Sequence, residues 1–429
     1  MHATDGRAVP PPPVPSLLST PVLLWQSSGP RRLRIGAGRA RAELARLTAA
    51  GALVLYDPAA PSAVELVHRH TCGPRTPIGP AVLPLPVGEG VDAPRRVARE
   101  IARHGARTVA VVGGGSAMDT AKLAAVLAVG GEPRFTAGPR SGLALLSRTD
   151  RPAPTVIAFP TTLGTGSETS GVARLPIGER RSRLVCSTTL CPAGAVLDPC
   201  LTGTLPRPLL AAGALEILLR LTGPLLGPHP MADAAAEWLL EYAALVRRTA
   251  DKLLSAETLR SADTLPSTDG SRCSDMEPAA ALRLRLATVS AASHQVWPRV
   301  GVSPFAFLLW YFADTAATVT GTAKNAALAR LFPAYLELAL GVRGRSPWAD
   351  GPRARRVARV LFPEAGPDPA HCREAAAELL RRWGIAPVAP LGADPGRLGS
   401  ATVASWPRAL TGITAKDAAA LYESANTPC

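Results

Sequence analysis

Residues Val109–Lys122 read VAVVGGGSAMDTAK: a run of apolar residues, three glycines, a serine, then a run of helix-forming residues. The order is strand, tight turn, helix. Glycines in such a turn let backbone N–H groups approach an anion closely, and the helix N-terminus adds its partial positive charge. The spacing is neither GxGxxG nor GxxxxGK[ST], so neither the Rossmann nor the P-loop fingerprint is met. Two readings are open from this stretch alone: a phosphate cradle, or a tight turn with no ligand.

Around this stretch, short β-rich runs alternate with helical ones. ALVLY (52–56), AVLPLP (81–86), TVAVVG (108–113), TVIAFP (155–160), RLVCS (183–187) and AVLD (195–198) read as buried strands. RARAELARLTAAG and APRRVAREIARHG read as helices between them. That alternation predicts an α/β layer with a largely parallel sheet. After LDPCLTGTLP (197–206) the strand signal stops, and 207–222, 231–254, 279–296, 305–320, 324–341, 371–383 and 415–425 read as helices. The expected fold class is an α/β N-terminal dinucleotide-binding domain followed by an all-α C-terminal domain. The expected divisions are a Pro-rich N-terminal tail (1–29), the α/β domain (30–206) and the helical domain (207–429). The polar, turn-rich stretch 255–278 reads as a long loop.

With 429 residues, 47% apolar and 19% charged, the chain has ample material for real cores. Its formal charge of +14 comes from 47 basic residues, of which only Lys122, Lys252, Lys324 and Lys416 are lysines. The arginines are spread along an Ala-, Pro- and Gly-rich chain and form no basic block interleaved with aromatics, which argues against nucleic acid as a partner. The seven cysteines form no CxxC pair, so neither a disulfide framework nor a zinc knuckle is expected. The first 26 residues lack the basic start and continuous apolar core of a signal peptide. No apolar stretch reads as approaching the roughly 20 residues of a membrane helix. A cytoplasmic protein without a membrane partner is the expectation.

Two further stretches bear on the glycine turn. AFPTTLGTGSE (158–168) is a strand followed by hydroxyls and glycines, and VLYDP (54–58) places Asp57 at the end of an early strand. An acid there takes ribose hydroxyls and repels a 2′-phosphate. Together GGGSxxDxAK, PTTxGTGSE and LDPxLxxxLP resemble the iron-containing (group III) alcohol dehydrogenases and the dehydroquinate synthase-like superfamily around them, from about Arg34 to the closing AKDAAALYESA. The resemblance implies a dehydroquinate synthase-like fold and NAD in an interdomain cleft. It implies that Asp57, Gly113, Gly114, Gly115, Ser116, Asp119, Lys122, Thr161 and Thr162 surround that NAD. A homodimer is common among such relatives.

The resemblance breaks at the metal. The family holds its ion with an Asp and a His four residues apart on the helix after LDPxLxxxLP, and with two later histidines. Here the gap-free alignment places Glu216 and Arg220 at the first two positions, and a one-residue slip places Leu215 and Leu219. Anchored on Pro333, the later positions are Trp310 and Lys324, with Asp314 at a further active-site histidine. Anchored on Asn325-Ala326, they are Phe307, Gly321 and Tyr311. No ligand set survives either way, since a guanidinium offers no lone pair. No metal is therefore expected.

The polar set that replaces the metal ligands is Lys324, Glu216, Arg220 and Asp314. Oxidising an alcohol by hydride transfer needs a proton acceptor and a positive group near the developing alkoxide. Lys324 is the candidate cation, and Arg220 the candidate for gripping a substrate carboxylate. Equally open is an ordinary Glu216–Arg220 helix pair worth about 0.3–0.5 kcal/mol. The chain further resembles dehydrogenases of daptide-type peptide natural-product clusters, which implies oxidative decarboxylation of a C-terminal threonine. The competing expectations are a dehydroquinate synthase-like cyclase and a non-catalytic NAD-binding scaffold.

Overall fold

A computed structural model of the chain describes residues 32–71, 81–86, 92–135, 143–146, 149, 151–176, 182–259, 278–295, 301–303, 305–385 and 390–427. The Pro-rich segment 1–29 and most of the expected loop, 260–277, lie outside the described residues.

Six parallel strands form the main sheet: β1 (Arg32–Ile35), β2 (Leu53–Tyr56), β3 (Val82–Pro84), β4 (Thr108–Gly113), β7 (Thr155–Pro160) and β10 (Gly194–Leu197). Their spatial order is β1-β10-β7-β4-β2-β3. The helices α1 (Arg39–Ala49), α2 (Pro61–Thr71), α3 (Asp92–Arg103) and α4 (Gly115–Leu127) connect several of them. Val109 and Val111 face one core with α3 and α4, and Ala110 and Val112 face the other with α1 and α2. Burial on both faces is why this strand reads as a continuous apolar run rather than as alternation.

A second sheet was not foreseen. It contains β5 (Pro133–Phe135), β6 (Leu143–Leu146), β9 (Ser182–Cys186) and β8 (Val172–Pro176), in that order and of mixed direction. RLVCS, expected in the parallel layer, pairs instead antiparallel with β8 as part of this sheet. Strand-forming residues carry no mark of which sheet they join, so the pattern was silent on this point.

From Arg207 onward the described residues are helical: α5 (Arg207–Leu226), α6 (Asp233–Leu259), α7 (Pro278–Ala292), α8 (Leu308–Thr320), α9 (Lys324–Gly341), α10 (Gly351–Leu361), α11 (Pro369–Arg382), α12 (Pro395–Ser405) and α13 (Ala415–Asn426). The α10 and α12 helices were not anticipated. Both begin with an Asp N-cap and a proline in the first turn, a start signal present in the sequence: Asp350 accepts from the Arg353 N–H and Asp394 from the Arg397 N–H.

The α5 helix corrects a second expectation. It is long and apolar enough to cross a bilayer, yet 83% of its most apolar window is buried in the fold. It is the central helix of the C-terminal half, packed against α6 and α10 and surrounded by the core of that half. A third correction concerns sulfur: Cys200 is disulfide-bonded, whereas Cys186, Cys191 and Cys372 are in no disulfide.

Candidate active site

The sheet order explains why distant motifs meet. The β4 strand lies between β7 and β2, with Gly113 opposite Pro160 and Val112 opposite Tyr56. Their carboxyl ends therefore deliver Asp57, the glycine turn and Thr161-Thr162 side by side, where ligands of open α/β sheets bind.

Contacts at the glycines show how close this assembly is. A Cβ on Gly113 would stand 2.6 Å from the Ala117 Cβ and 2.9 Å from the Asp57 Cβ. One on Gly114 would stand 3.1 Å from the Thr162 methyl, and one on Gly115 2.8 Å from the Thr165 methyl. Gly114 is the N-cap of α4, and no side chain caps that end, so the first N–H groups of the helix have no side-chain acceptor. Ser116 is exposed in the first turn. Thr161 donates its backbone N–H to the Gly113 carbonyl at 3.0 Å, joining the two loops. The Oγ1 atoms of Thr161 and Thr162 are buried and have no partner among the described residues. Buried hydroxyls in proteins are nearly always bonded, so two orphans beside an uncapped helix N-terminus fit a polar ligand there. The pyrophosphate of a dinucleotide is one ligand of that chemistry.

Asp119 and Lys122 depart from the expectation that they surround the cofactor. Lys122 is 1% exposed. Its ammonium donates to Ser167 Oγ at 2.8 Å, Ser167 O at 3.1 Å and Val172 O at 2.5 Å, and it pairs with Asp119 at 3.2 Å. Asp119 in turn accepts from the Ser167 hydroxyl and from the Arg174 N–H at 2.8 Å. Both side chains brace α4 against segment 167–174 behind the glycine turn.

The polar set of the helical half does come together. Arg220, only 6% exposed, donates to the Gly164 carbonyl, to Glu216 Oε1 at 3.2 Å and to Ser293 Oγ at 3.5 Å. Its guanidinium carbon lies 6.0 Å from the centre of the Trp310 ring, and the Lys324 ammonium lies 5.0 Å from the same centre. Lys324 stands 3.5 Å from Asp314, each side chain 24% exposed. Burial pushes the Glu216 carboxyl above the usual range, opposed by Arg220, Lys324 and a hydrogen bond from Asn325. Burial likewise raises Glu168, a carboxyl that Arg220 and Lys122 partly offset. For Arg220 burial lowers the pKa, with Glu216 and Glu168 opposing.

Sequence reasoning missed Glu168, Ser293 and the Gly164–Gly213 contact as parts of this site, and located Trp310 only as a position where a metal-binding histidine is replaced. A Cβ on Gly164, whose φ is +92°, would lie 2.4 Å from the Gly213 carbonyl oxygen. Gly213, Glu216 and Arg220 share one face of α5 at i, i+3 and i+7, and that face lies on the 161–168 turn. The spacing is legible in the sequence, but what it faces is not.

Comparison with known proteins gives this arrangement its context. Residues 30–199, the α/β half, match the iron-containing alcohol dehydrogenase family. A phosphonoacetaldehyde reductase from Streptomyces viridochromogenes is 37% identical over 153 residues, 33% of this chain and 36% of that protein. The aligned segment thus spans about a third of that relative's length. Among solved structures, an NADH-dependent butanol dehydrogenase A from Thermotoga maritima superposes with a TM-score of 0.69 over 93% of this chain and 98% of that one, at 17% identity. A sulfoacetaldehyde reductase from Bifidobacterium kashiwanohense, solved with NAD+, gives a TM-score of 0.68 over 94% and 99%, at 18% identity. The fold of nearly the whole chain is thus that of the iron-containing alcohol dehydrogenases, with sequence likeness concentrated in the half that carries the glycine turn.

The metal in that family's name does not fit this site. Arg220 and Lys324 are cations, Trp310 offers only an N–H donor, and Glu216 already bridges to Arg220. Among the described residues no group of three His, Cys, Asp or Glu side chains is placed to hold an ion.

Proposed function

We propose that the chain is an NAD-dependent dehydrogenase that passes hydride between nicotinamide and an alcohol or its carbonyl product, with side-chain charges where its relatives carry a metal. The single observation that carries the reading is the continuity from cradle to charges. The glycine turn touches Thr162, Gly164 two residues on accepts from Arg220, and Arg220 and Lys324 lie over one indole. NAD supplies the hydride acceptor. Residues 113–116, with Thr161 and Thr162, hold it, and Asp57 favours NAD over NADP by repelling a 2′-phosphate.

In this reading Lys324 meets the reacting oxygen. Its ammonium stabilises negative charge developing on the alkoxide, in a setting where water is partly excluded. Asp314, 3.5 Å away, is placed to take up the hydroxyl proton and pass it to solvent. Glu216 balances the cations. The names of the two reductases above describe aldehydes that carry a phosphonate or a sulfonate, and a substrate bearing an anion is the matching choice here.

A finer reading is the oxidation of the β-hydroxyl of a C-terminal peptide threonine, giving a β-keto acid that loses CO₂. One ammonium has three N–H donors, enough for the hydroxyl and the carboxylate of a β-hydroxy acid together. Arg220 is engaged elsewhere, so Lys324 takes that role in place of Arg220. Incubation with NADH and a panel of aldehydes and keto acids, followed by loss of NADH absorbance, tests the broader reading. Tight NADH binding with no turnover of any of them would favour a non-catalytic scaffold.

A further inference from the structure

We infer that Arg220 is a positioning residue: an internal cationic strut that fixes the 161–168 turn against α5 and α7 and, through Trp310, sets where Lys324 stands. The inference deepens the dehydrogenase reading and rests on it for its catalytic meaning. Three acceptors from three separate segments converge on this one guanidinium: the Gly164 carbonyl of the turn, Glu216 of α5 and Ser293 just beyond α7. A planar fork of five donors suits such a junction, whereas an ammonium does not span it. The side chain is almost fully buried, so it is not the group that grips a substrate carboxylate.

Two features of the backbone show that the junction is built for close approach. Gly164 and Gly213 meet with no room for a Cβ on either: one on Gly213 would stand 2.6 Å from the Leu163 carbonyl oxygen. Arg220 lies two helical turns beyond Gly213 on the same face, so the glycine contact and the guanidinium pin the turn at two points. A buried carbonyl whose donor is removed is left unsatisfied, and the turn that carries it bears the desolvation cost. The Trp310 ring neighbours both cations, its centre 6.0 Å from the Arg220 guanidinium carbon and 5.0 Å from the Lys324 ammonium. A loosened Arg220 therefore loosens both the cofactor turn and the catalytic cation.

The test uses the full chain and two readouts, amide hydrogen exchange and NADH fluorescence titration. R220M is expected to speed exchange specifically in peptides covering 161–168 and 308–324, and to weaken NADH binding by at least about tenfold. R220K, which keeps the charge but cannot span three acceptors, is expected to fall between. Unchanged exchange in those peptides, or exchange raised uniformly along the chain, overturns the inference. Should R220M fail to fold, S293A and E216A each remove one acceptor of the guanidinium and must raise exchange in 161–168; no rise in either overturns it. Wild-type protein that binds no NADH would defeat the dehydrogenase reading, while the exchange data would still judge the strut.

Discussion

The Lys324 ammonium lies 5.0 Å above the Trp310 ring and 3.5 Å from the Asp314 carboxylate, so a cation, an anion and an aromatic face share one corner of the helical half. Lys324 is the partly exposed cation of that corner, and Arg220 the buried one. K324A should lower kcat by about 100-fold or more, the usual cost of removing a charge that stabilises the transition state. Steady-state kinetics with any substrate found in the aldehyde panel, alongside an unchanged NADH affinity, checks this. Wild-type kcat in K324A would remove Lys324 from the mechanism.

Asp57 stands where its Cβ nearly touches the glycine turn. In D57N the charge that opposes a 2′-phosphate is gone and a charge-assisted bond to ribose weakens. The ratio of NADPH to NADH dissociation constants should shrink by about tenfold or more, in line with about 1.5–3 kcal/mol for a hydrogen bond to a charged group. An unaltered ratio would show that another residue selects the cofactor.

Gly113 is pinned between two fixed Cβ atoms, those of Ala117 and Asp57. G113A forces the backbone apart and should cost about 1–3 kcal/mol of stability, the range for overpacking a dense site. Thermal melts and NADH titration measure it, and the loss of NADH affinity should exceed that of any substitution at exposed Ser116.

Glu168 gives the pH dependence. Its carboxyl, buried in the fold, holds its proton above the ordinary value of 4.5. The stabilising contribution of such a group is complete below that ordinary value and is lost as pH rises through the raised one. E168Q should therefore gain stability relative to wild type on going from about pH 5 to about pH 8. A melting-temperature difference that is flat or reversed over that range would mean that Arg220 and Lys122 hold Glu168 ionised throughout.

Much of the fold was legible because the main-sheet strands are buried on both faces and separated by helices with clear apolar stripes, as at 109–112 and 92–103. The second sheet was not, since β5 and β6 are short and RLVCS looks the same whichever sheet it joins. The strand–turn–helix at 109–122 was readable from glycines whose spacing constrains the backbone. Lys122 misled because a motif position says nothing of direction, and its side chain turns inward to segment 167–172. Arg220 and Lys324 were located by counting along helices, but only the tertiary structure shows that one is buried against Gly164 and that the other rests on Trp310.

Titration of EDTA-treated protein with NADH, followed by the cofactor's fluorescence, asks whether a nicotinamide site works here with side-chain charges in place of a metal. Saturable binding is expected at or below about 0.1 mM, within the range common for enzyme ligands, that NADPH does not match and that added Fe(II) or Zn(II) leaves unchanged. Binding that appears only when a metal is restored would contradict the metal-free reading.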